Sequence, residues 1–152
     1  MSHGFAQARV RLQPLHVGRI DTSQPDARHQ LRDRALVDAV LAETDRIDFV
    51  INTAAVLPRG DLVDTSEETV YAATEINYLA PVMIAQEFFP HLKRTGGSLL
   101  NFTSSSYTRG RSGYSLSSSA KAALVNPTQA PAAEWAADGV RGKGLNPDST
   151  GP

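Results

Sequence analysis

The sequence predicts an α/β fold, a partial doubly wound parallel sheet of about four strands flanked by helices. Three observations point there. The run Ile47 to Ala55, IDFVINTAA, is apolar and rich in β-branched residues, as a buried parallel strand is. The run Ser98 to Thr103, SLLNFT, has the same character and follows a Gly-Gly break. Segments with helical spacing precede and separate these runs. Such alternation builds a parallel sheet through right-handed crossovers.

Composition bounds the remaining possibilities. A chain of 152 residues with 41% hydrophobic residues suits one domain with one core. The net charge of -1 gives no field that would draw nucleic acid or an anionic membrane surface. Without cysteine, disulfides, thiolate metal sites and cysteine nucleophiles are excluded. His3, His16, His29 and His91 lack metal-ligand spacing and are expected at the surface. No apolar run is long enough to span a bilayer, and Met1-Ser2-His3-Gly4 does not open a secretory signal. A cytoplasmic protein is expected.

Taken in order, residues 1–30 form an irregular N-terminal segment and residues 31–152 the domain. Within the first segment Val10 and Leu12 alternate with Arg9, Arg11 and Gln13. That pattern fits either a short half-buried strand ended by Pro14 or a frayed end. Residues 18–30 are polar, contain Pro25 and read as loop. A helix is expected over 33–44, capped by Asp33, with Ala35, Leu36, Ala39, Val40 and Leu41 on one face. The strand at 47–55 follows, then a loop marked by Pro58 and Gly60.

Thr65-Ser66-Glu67-Glu68 reads as a capping box with Thr65 as the cap. The helix it opens should run to about Lys93, kinked near Asn77 and Tyr78 by Pro81. Its expected buried side is Ile76, Leu79, Val82, Met83, Phe89 and Leu92. Pro90 and the Gly96-Gly97 pair end the segment, and the strand at 98–103 begins. A loop with Gly110 and Gly113 leads to a helix over 115–137 that Pro127 and Pro131 should break. Residues 139–152 make a poor strand because of Gly142 and Lys143, and read as a flexible tail.

The stretch from Gly97 to Asn126 carries chemistry. Hydroxyls cluster at Thr103, Ser104, Ser105 and Ser106, and Lys121 lies on the next helix. Alone, the serines would be a polar strand exit and Lys121 a solvated lysine. Their register says more. Asn101-Phe102-Thr103-Ser104 resembles the Asn-Ile-Ser-Ser of the short-chain dehydrogenase/reductase family. In that family a serine precedes a Tyr-x-x-x-Lys pair by thirteen residues, and Lys121 and Ser104 fall at the lysine and serine positions. Ser117 stands where the tyrosine is expected. Asn52-Thr53-Ala54-Ala55 resembles the Asn-Asn-Ala-Gly under the nicotinamide, Ile76-Asn77-Tyr78 the helix asparagine, and Asn146-Pro147-Asp148 the Asn-Pro-Gly loop. INTAAVLPRGDLVDTSEET and SYTRGRSGYSLSSSAKAALVN further resemble the reductase half of bacterial two-domain chains whose other half is a cytidylyltransferase for polyol phosphates.

The resemblance implies a Rossmann-like sheet and NAD(P)-linked reduction of a carbonyl or oxidation of an alcohol on a small molecule. It implies catalytic roles at Asn77, Ser104, Ser117 and Lys121, and cofactor contacts at Asn52, Ala54, Ala55, Lys121 and Pro147. It also implies a homo-oligomer joined through helices 65–93 and 115–137. Two departures matter. No Gly-x-x-x-Gly-x-Gly spacing for a pyrophosphate cradle occurs in residues 1–60. A serine hydroxyl is also a far weaker acid than a phenol, whose pKa is near 10, and its side chain is shorter. Tyr114, seven residues before Lys121, lies about 10.5 Å away along an ideal helix, against about 6 Å for the usual four residues. An impaired oxidoreductase and a non-catalytic chain that acts by association are therefore both expected readings, and binding of NAD or NADP is expected to be weak.

Overall fold

The computed structural model describes residues 36–147. The expected features at Asp33, Ala35, Val10 to Pro14, residues 18–30 and Asp148 lie outside them. Residues 36–43 form helix α1. Strand β1 (Phe49–Asn52), helix α2 (Glu67–Thr74), a π-helical turn (Glu75–Leu79) and helix α3 (Ala80–Thr95) follow. Then come strand β2 (Ser98–Phe102), helix α4 (Ser115–Ala123), helix α5 (Val125–Glu134) and strand β3 (Arg141–Leu145). The three strands pair in parallel in the order β1-β2-β3. The α/β class and the parallel sheet flanked by helices are as expected, with three strands among the described residues.

The register places Val50, Leu99 and Gly142 side by side, and Asn52, Asn101 and Gly144 one step on. This face is packed. Val50 and Leu99 join Val37, Ile47, Ala85, Phe88, Leu92 and Val140 in one core, with Phe89 and Trp135 stacked beside it at 4.6 Å between ring centroids. The other face is open: Phe49 is 65% and Ile51 55% exposed. The expectation of a strand buried on both sides therefore holds for one face only. The run is also shorter than read, because Thr53 to Ala55 leave the sheet.

Several local readings are corrected. The cap of α2 is Ser66, whose hydroxyl accepts from the Thr69 N–H at 3.2 Å, while Thr65 Oγ1 donates instead to the Asp61 carbonyl. The helix from there to Thr95 is not bent at one point. Pro81 cannot donate to the carbonyl four residues back, and the chain absorbs this as the π turn just before it. The extra residue of that turn rotates the buried stripe onto Ala73, Asn77, Pro81, Ala85, Phe88 and Leu92. Leu79 is consequently exposed, and only Leu92 of the expected set is fully buried. Pro90 lies within α3, and the helix ends at Gly96, whose φ of 64° suits glycine.

The two later prolines are both accommodated within a second helix rather than destroying it. The break falls at Leu124, and Pro127 sits in the first turn of α5, where a missing N–H costs little. Pro131 is inside α5. Strand β3 forms in spite of Gly142 and Lys143. A Cβ on Gly142 would lie 3.0 Å from the Thr128 carbonyl oxygen and 3.2 Å from the Ala132 methyl, so the glycine lets α5 lie close against the strand. Residues 141–145 are thus sheet rather than tail. Among the described residues no helix is long and apolar enough to cross a membrane.

Candidate active site

The carboxyl ends of the three strands meet at one edge. Thr103 N–H donates to the Leu145 carbonyl at 2.8 Å, which draws the residues after β3 toward those after β2. Ser104 leaves β2 in an extended conformation and caps a short 3-10 turn, Ser105–Thr108. Its hydroxyl accepts from Ser106 N–H at 3.2 Å and lies 2.8 Å from Ser106 Oγ. Ser118 Oγ donates to Ser106 Oγ at 3.1 Å. A row of three hydroxyls therefore ties the end of β2 to α4.

Lys121 lies on the same helix and is buried, with Nζ donating to the Phe102 carbonyl at 2.7 Å. Ser117 is buried one turn earlier. The structure thus brings Ser104 and Lys121 to the end of β2, with the lysine held on main chain, and leaves Ser117 buried on α4. Burial pushes the Lys121 ammonium below its ordinary range. The sign of the linkage follows. The folded chain sheds this proton earlier than the unfolded chain, so folding stability should rise with pH from the lowered value up to about 10.5, the ordinary value. Lys121→Met should lack that rise. Urea denaturation of both chains at several alkaline pH values measures the difference, and parallel curves would refute it.

Asn77 is fully buried in the π turn, and its amide holds one residue at both ends. Val56 N–H donates to its Oδ1 at 2.9 Å and its Nδ2 donates to the Val56 carbonyl at 2.8 Å. Its side chain therefore fixes the segment after β1. Asn52 Nδ2 donates to Asn101 Oδ1 at 2.7 Å, Asn101 Nδ2 to Thr128 Oγ1 at 2.9 Å, and Thr128 Oγ1 to the Leu124 carbonyl at 2.7 Å. This chain links β1, β2 and α5. Asn101 and Thr128 are nearly inaccessible, and sequence reasoning missed both. An asparagine at an inward strand position was the available signal, since a buried amide needs partners. Ala54, Ala55 and Pro147 are exposed.

Tyr114 stays at the start of α4 rather than moving toward Lys121. The guanidinium carbons of Arg59 and Arg111 lie 5.1 and 4.7 Å from its ring centroid. A cavity of about 480 Å³ opens beside it, lined by Arg111, Gly113, Ser115, Ser106 and Ser118 among others. Ser104, Ser117 and Lys121 do not line that cavity; the hydroxyl row connects Ser104 to it. No group of metal-ligating side chains is present among the described residues.

A nicotinamide cofactor fits this site in part. The exposed segment after β1 and Lys121 would hold the nicotinamide ribose end. For the pyrophosphate, the described residues offer no glycine turn from the end of β1 straight into a helix; that strand runs instead into the irregular, mostly exposed residues 53–60.

Residues 8–149 match a family model described as enoyl-(acyl carrier protein) reductase. A bifunctional ribulose 5-phosphate reductase/CDP-ribitol pyrophosphorylase of Haemophilus influenzae is 45% identical over 111 residues, which are 73% of this chain and 23% of that one. A meso-2,3-butanediol dehydrogenase of Serratia marcescens is 29% identical over 127 residues, 84% of this chain and 51% of that one. A 3-ketoacyl-(acyl-carrier-protein) reductase of Brucella melitensis, solved with NADH, superposes with a TM-score of 0.72 at 22% identity, covering 78% of this chain and 51% of that one. A short-chain dehydrogenase of Streptomyces avermitilis superposes with a TM-score of 0.69 at 26% identity, covering 77% and 43%. The chain therefore spans about half, or less, of the length of these relatives.

Proposed function

This chain belongs to the short-chain dehydrogenase/reductase family, and from that premise we propose that it is an NAD(P)-dependent oxidoreductase unit for carbonyl and alcohol groups, impaired at the proton donor. The observation that carries this reading is Lys121, buried at the end of β2 with Nζ on the Phe102 carbonyl and in register with Ser104. A bound nicotinamide supplies or accepts the hydride. Ser104 Oγ would hold the substrate oxygen by a hydrogen bond. Asn77 would keep the floor after β1 in place through Val56. The ammonium of Lys121 would favour negative charge on the proton donor beside it. At that donor position Ser117 offers an alkanol, which gives up its proton far less readily than a phenol.

Titration of NADH and NADPH, followed by nicotinamide fluorescence, tests both parts. Binding should be no tighter than the millimolar range, about -4 kcal/mol, because the pyrophosphate lacks its amide cradle. Lys121→Ala should weaken it further. Binding indifferent to Lys121 would overturn the oxidoreductase reading, and micromolar binding would overturn the impairment.

A second reading has its own support. Val70, Tyr71 and Leu79 leave apolar surface exposed on α2 and the π turn. A non-catalytic chain that associates through helices 65–93 and 115–137 would cover it. Light scattering should then give a dimer that Tyr71→Lys with Leu79→Lys dissociates, and a monomeric wild type would refute it.

A further inference from the structure

Strand β1 stands at the end of the sheet, with β2 on one side and, among the described residues, no strand on the other. Main-chain N–H and C=O groups along such an edge need partners, and another strand supplies them. Phe49–Asn52 contains no proline, lysine or other charge of the kind that keeps edges from pairing.

The crossovers indicate which segment belongs there. The connection from β1 to β2 runs through α3, and Ala85, Phe88 and Leu92 of α3 share one core with Val50 and Leu99. Val50 and Leu99 are partners in the register, so α3 covers that face of both strands. Val37 of α1 belongs to the same core, so α1 covers the same face. Crossovers between parallel strands are right-handed in nearly all sheets. With α1 and α3 on one face, a strand that feeds α1 and runs parallel to β1 must lie on the side of β1 away from β2. That side is the free edge.

Ahead of α1, one segment has the matching pattern. Val10 and Leu12 alternate with Arg9, Arg11 and Gln13, and Pro14 follows. The place beside β1 has one face on the side of α1 and one open to water, because Phe49 and Ile51 are exposed. A strand with apolar side chains on one face only suits it. We propose that residues 9–13 of this chain occupy the free edge of β1 as a further parallel strand, with Val10 and Leu12 on the side of α1 and Val50. Arg9 and Arg11 then lie on the open face with Phe49 and Ile51. The stretch from Pro14 to α1 is ample for the return, since 20 extended residues span about 66 Å and a five-residue strand only about 17 Å.

One consequence concerns the cofactor and rests on the oxidoreductase reading. The carboxyl end of the segment would emerge beside Asn52, at the edge where open parallel sheets bind ligands. Pro14 would stand there without an N–H, so that turn would lack an amide where a pyrophosphate needs several. A strand grafted ahead of the chain would have to take this edge from residues 9–13.

The chain has no cysteine, so a pair introduced on the open face reports proximity cleanly. Arg11→Cys with Ile51→Cys, treated with a short rigid bismaleimide in dilute solution, should crosslink within one chain. It should do so at least about tenfold faster than Arg11→Cys with Lys143→Cys, because neighbouring strands are about 4.8 Å apart. Lys143 is in register with Ile51 through Leu100 but belongs to β3, two strands from β1. Equal rates, or a faster Lys143 pair, would overturn the placement. So would crosslinks formed chiefly between chains, which would assign the edge to a second copy. Hydrogen exchange on the unaltered chain tests the same edge without any variant. Successive residues of a parallel strand turn their amides to opposite neighbours, so a free edge exposes every second amide. All four amides of Phe49–Asn52 should exchange slowly. Val10→Asp with Leu12→Asp should speed alternate ones at least about tenfold. Alternate amides already fast in the unaltered chain, or no response to the aspartates, would overturn the proposal. A nicotinamide titration that removes the oxidoreductase reading would leave the strand standing and cancel only its consequence for the pyrophosphate.

Discussion

Ser117→Tyr alone is expected to leave carbonyl reduction at background, and to raise it about 10²- to 10⁴-fold once the pyrophosphate can be held. The first half follows from the cofactor. If the nicotinamide binds only at the millimolar strength proposed above, a proton donor has nothing to act with. Grafting a strand with a glycine-rich turn ahead of the chain should restore binding and little rate, because Ser117 still stands at the donor position proposed above. Only the graft with Ser117→Tyr should turn over, with Lys121 at the end of β2 to lower the phenol's pKa. Ser117 is buried, so a ring there must find room, and Ser117→Phe on the same graft controls for bulk without the hydroxyl. Pro127 and Pro131 need no reversion for this purpose. They lie in α5, whereas Lys121 belongs to α4, which forms without them. Aldehydes, ketones and sugar phosphates would be assayed for nicotinamide oxidation. Reduction by the unaltered chain that Lys121→Ala abolishes would sink the idea, and would assign the proton to another group.

Leu99→Ala should cost about 2 to 5 kcal/mol, the range for deleting a fully buried leucine. Leu99 is 0% exposed and sits in the central strand, paired with Val50 on one side and Gly142 on the other. Gly142 has no side chain to move into the space, and Ala85, Phe88 and Leu92 of the same core are carried on the backbone of one helix, α3. Domains of this kind are stable by only about 5 to 15 kcal/mol, and here one face of the sheet is open. The variant should therefore lose much of its cooperative unfolding transition. Denaturant unfolding followed by circular dichroism measures it. A loss under about 1 kcal/mol would mean that the core collapses around the gap, contrary to the packing described.

Much of this molecule was legible in its residues. The β-branched run at 47–55 and the run at 98–103 announced parallel strands, because continuous apolar character of this kind is the usual pattern of parallel sheets, although the outer face of β1 is exposed here. The spacing from Ser104 to Lys121 pointed to one chemical edge, and the structure places both residues at the end of β2. That residue 117 is a serine, with no phenol to offer, is a fact of sequence that no fold can reverse.

Other features were decided by packing between segments far apart in the chain. Periodicity could not tell that the backbone would absorb Pro81 as a π turn and so shift the buried stripe to Asn77, Ala85 and Phe88. Strand propensity argued against Gly142, but the approach of α5 makes the missing side chain an asset. Asn101 reads as one more polar residue until Asn52 and Thr128 arrive from other elements to satisfy its amide. Arg59 and Arg111, 52 positions apart in the numbering, share Tyr114 only because two loops are pinned together at Gly60 and Gly113. The sequence by itself determined the strands β1 and β2 and which chemical groups are available, since those depend on local pattern and residue type. The tertiary structure alone decided which of those groups meet, because hydrogen bonds and stacking act over a few ångströms and chain distance does not measure that.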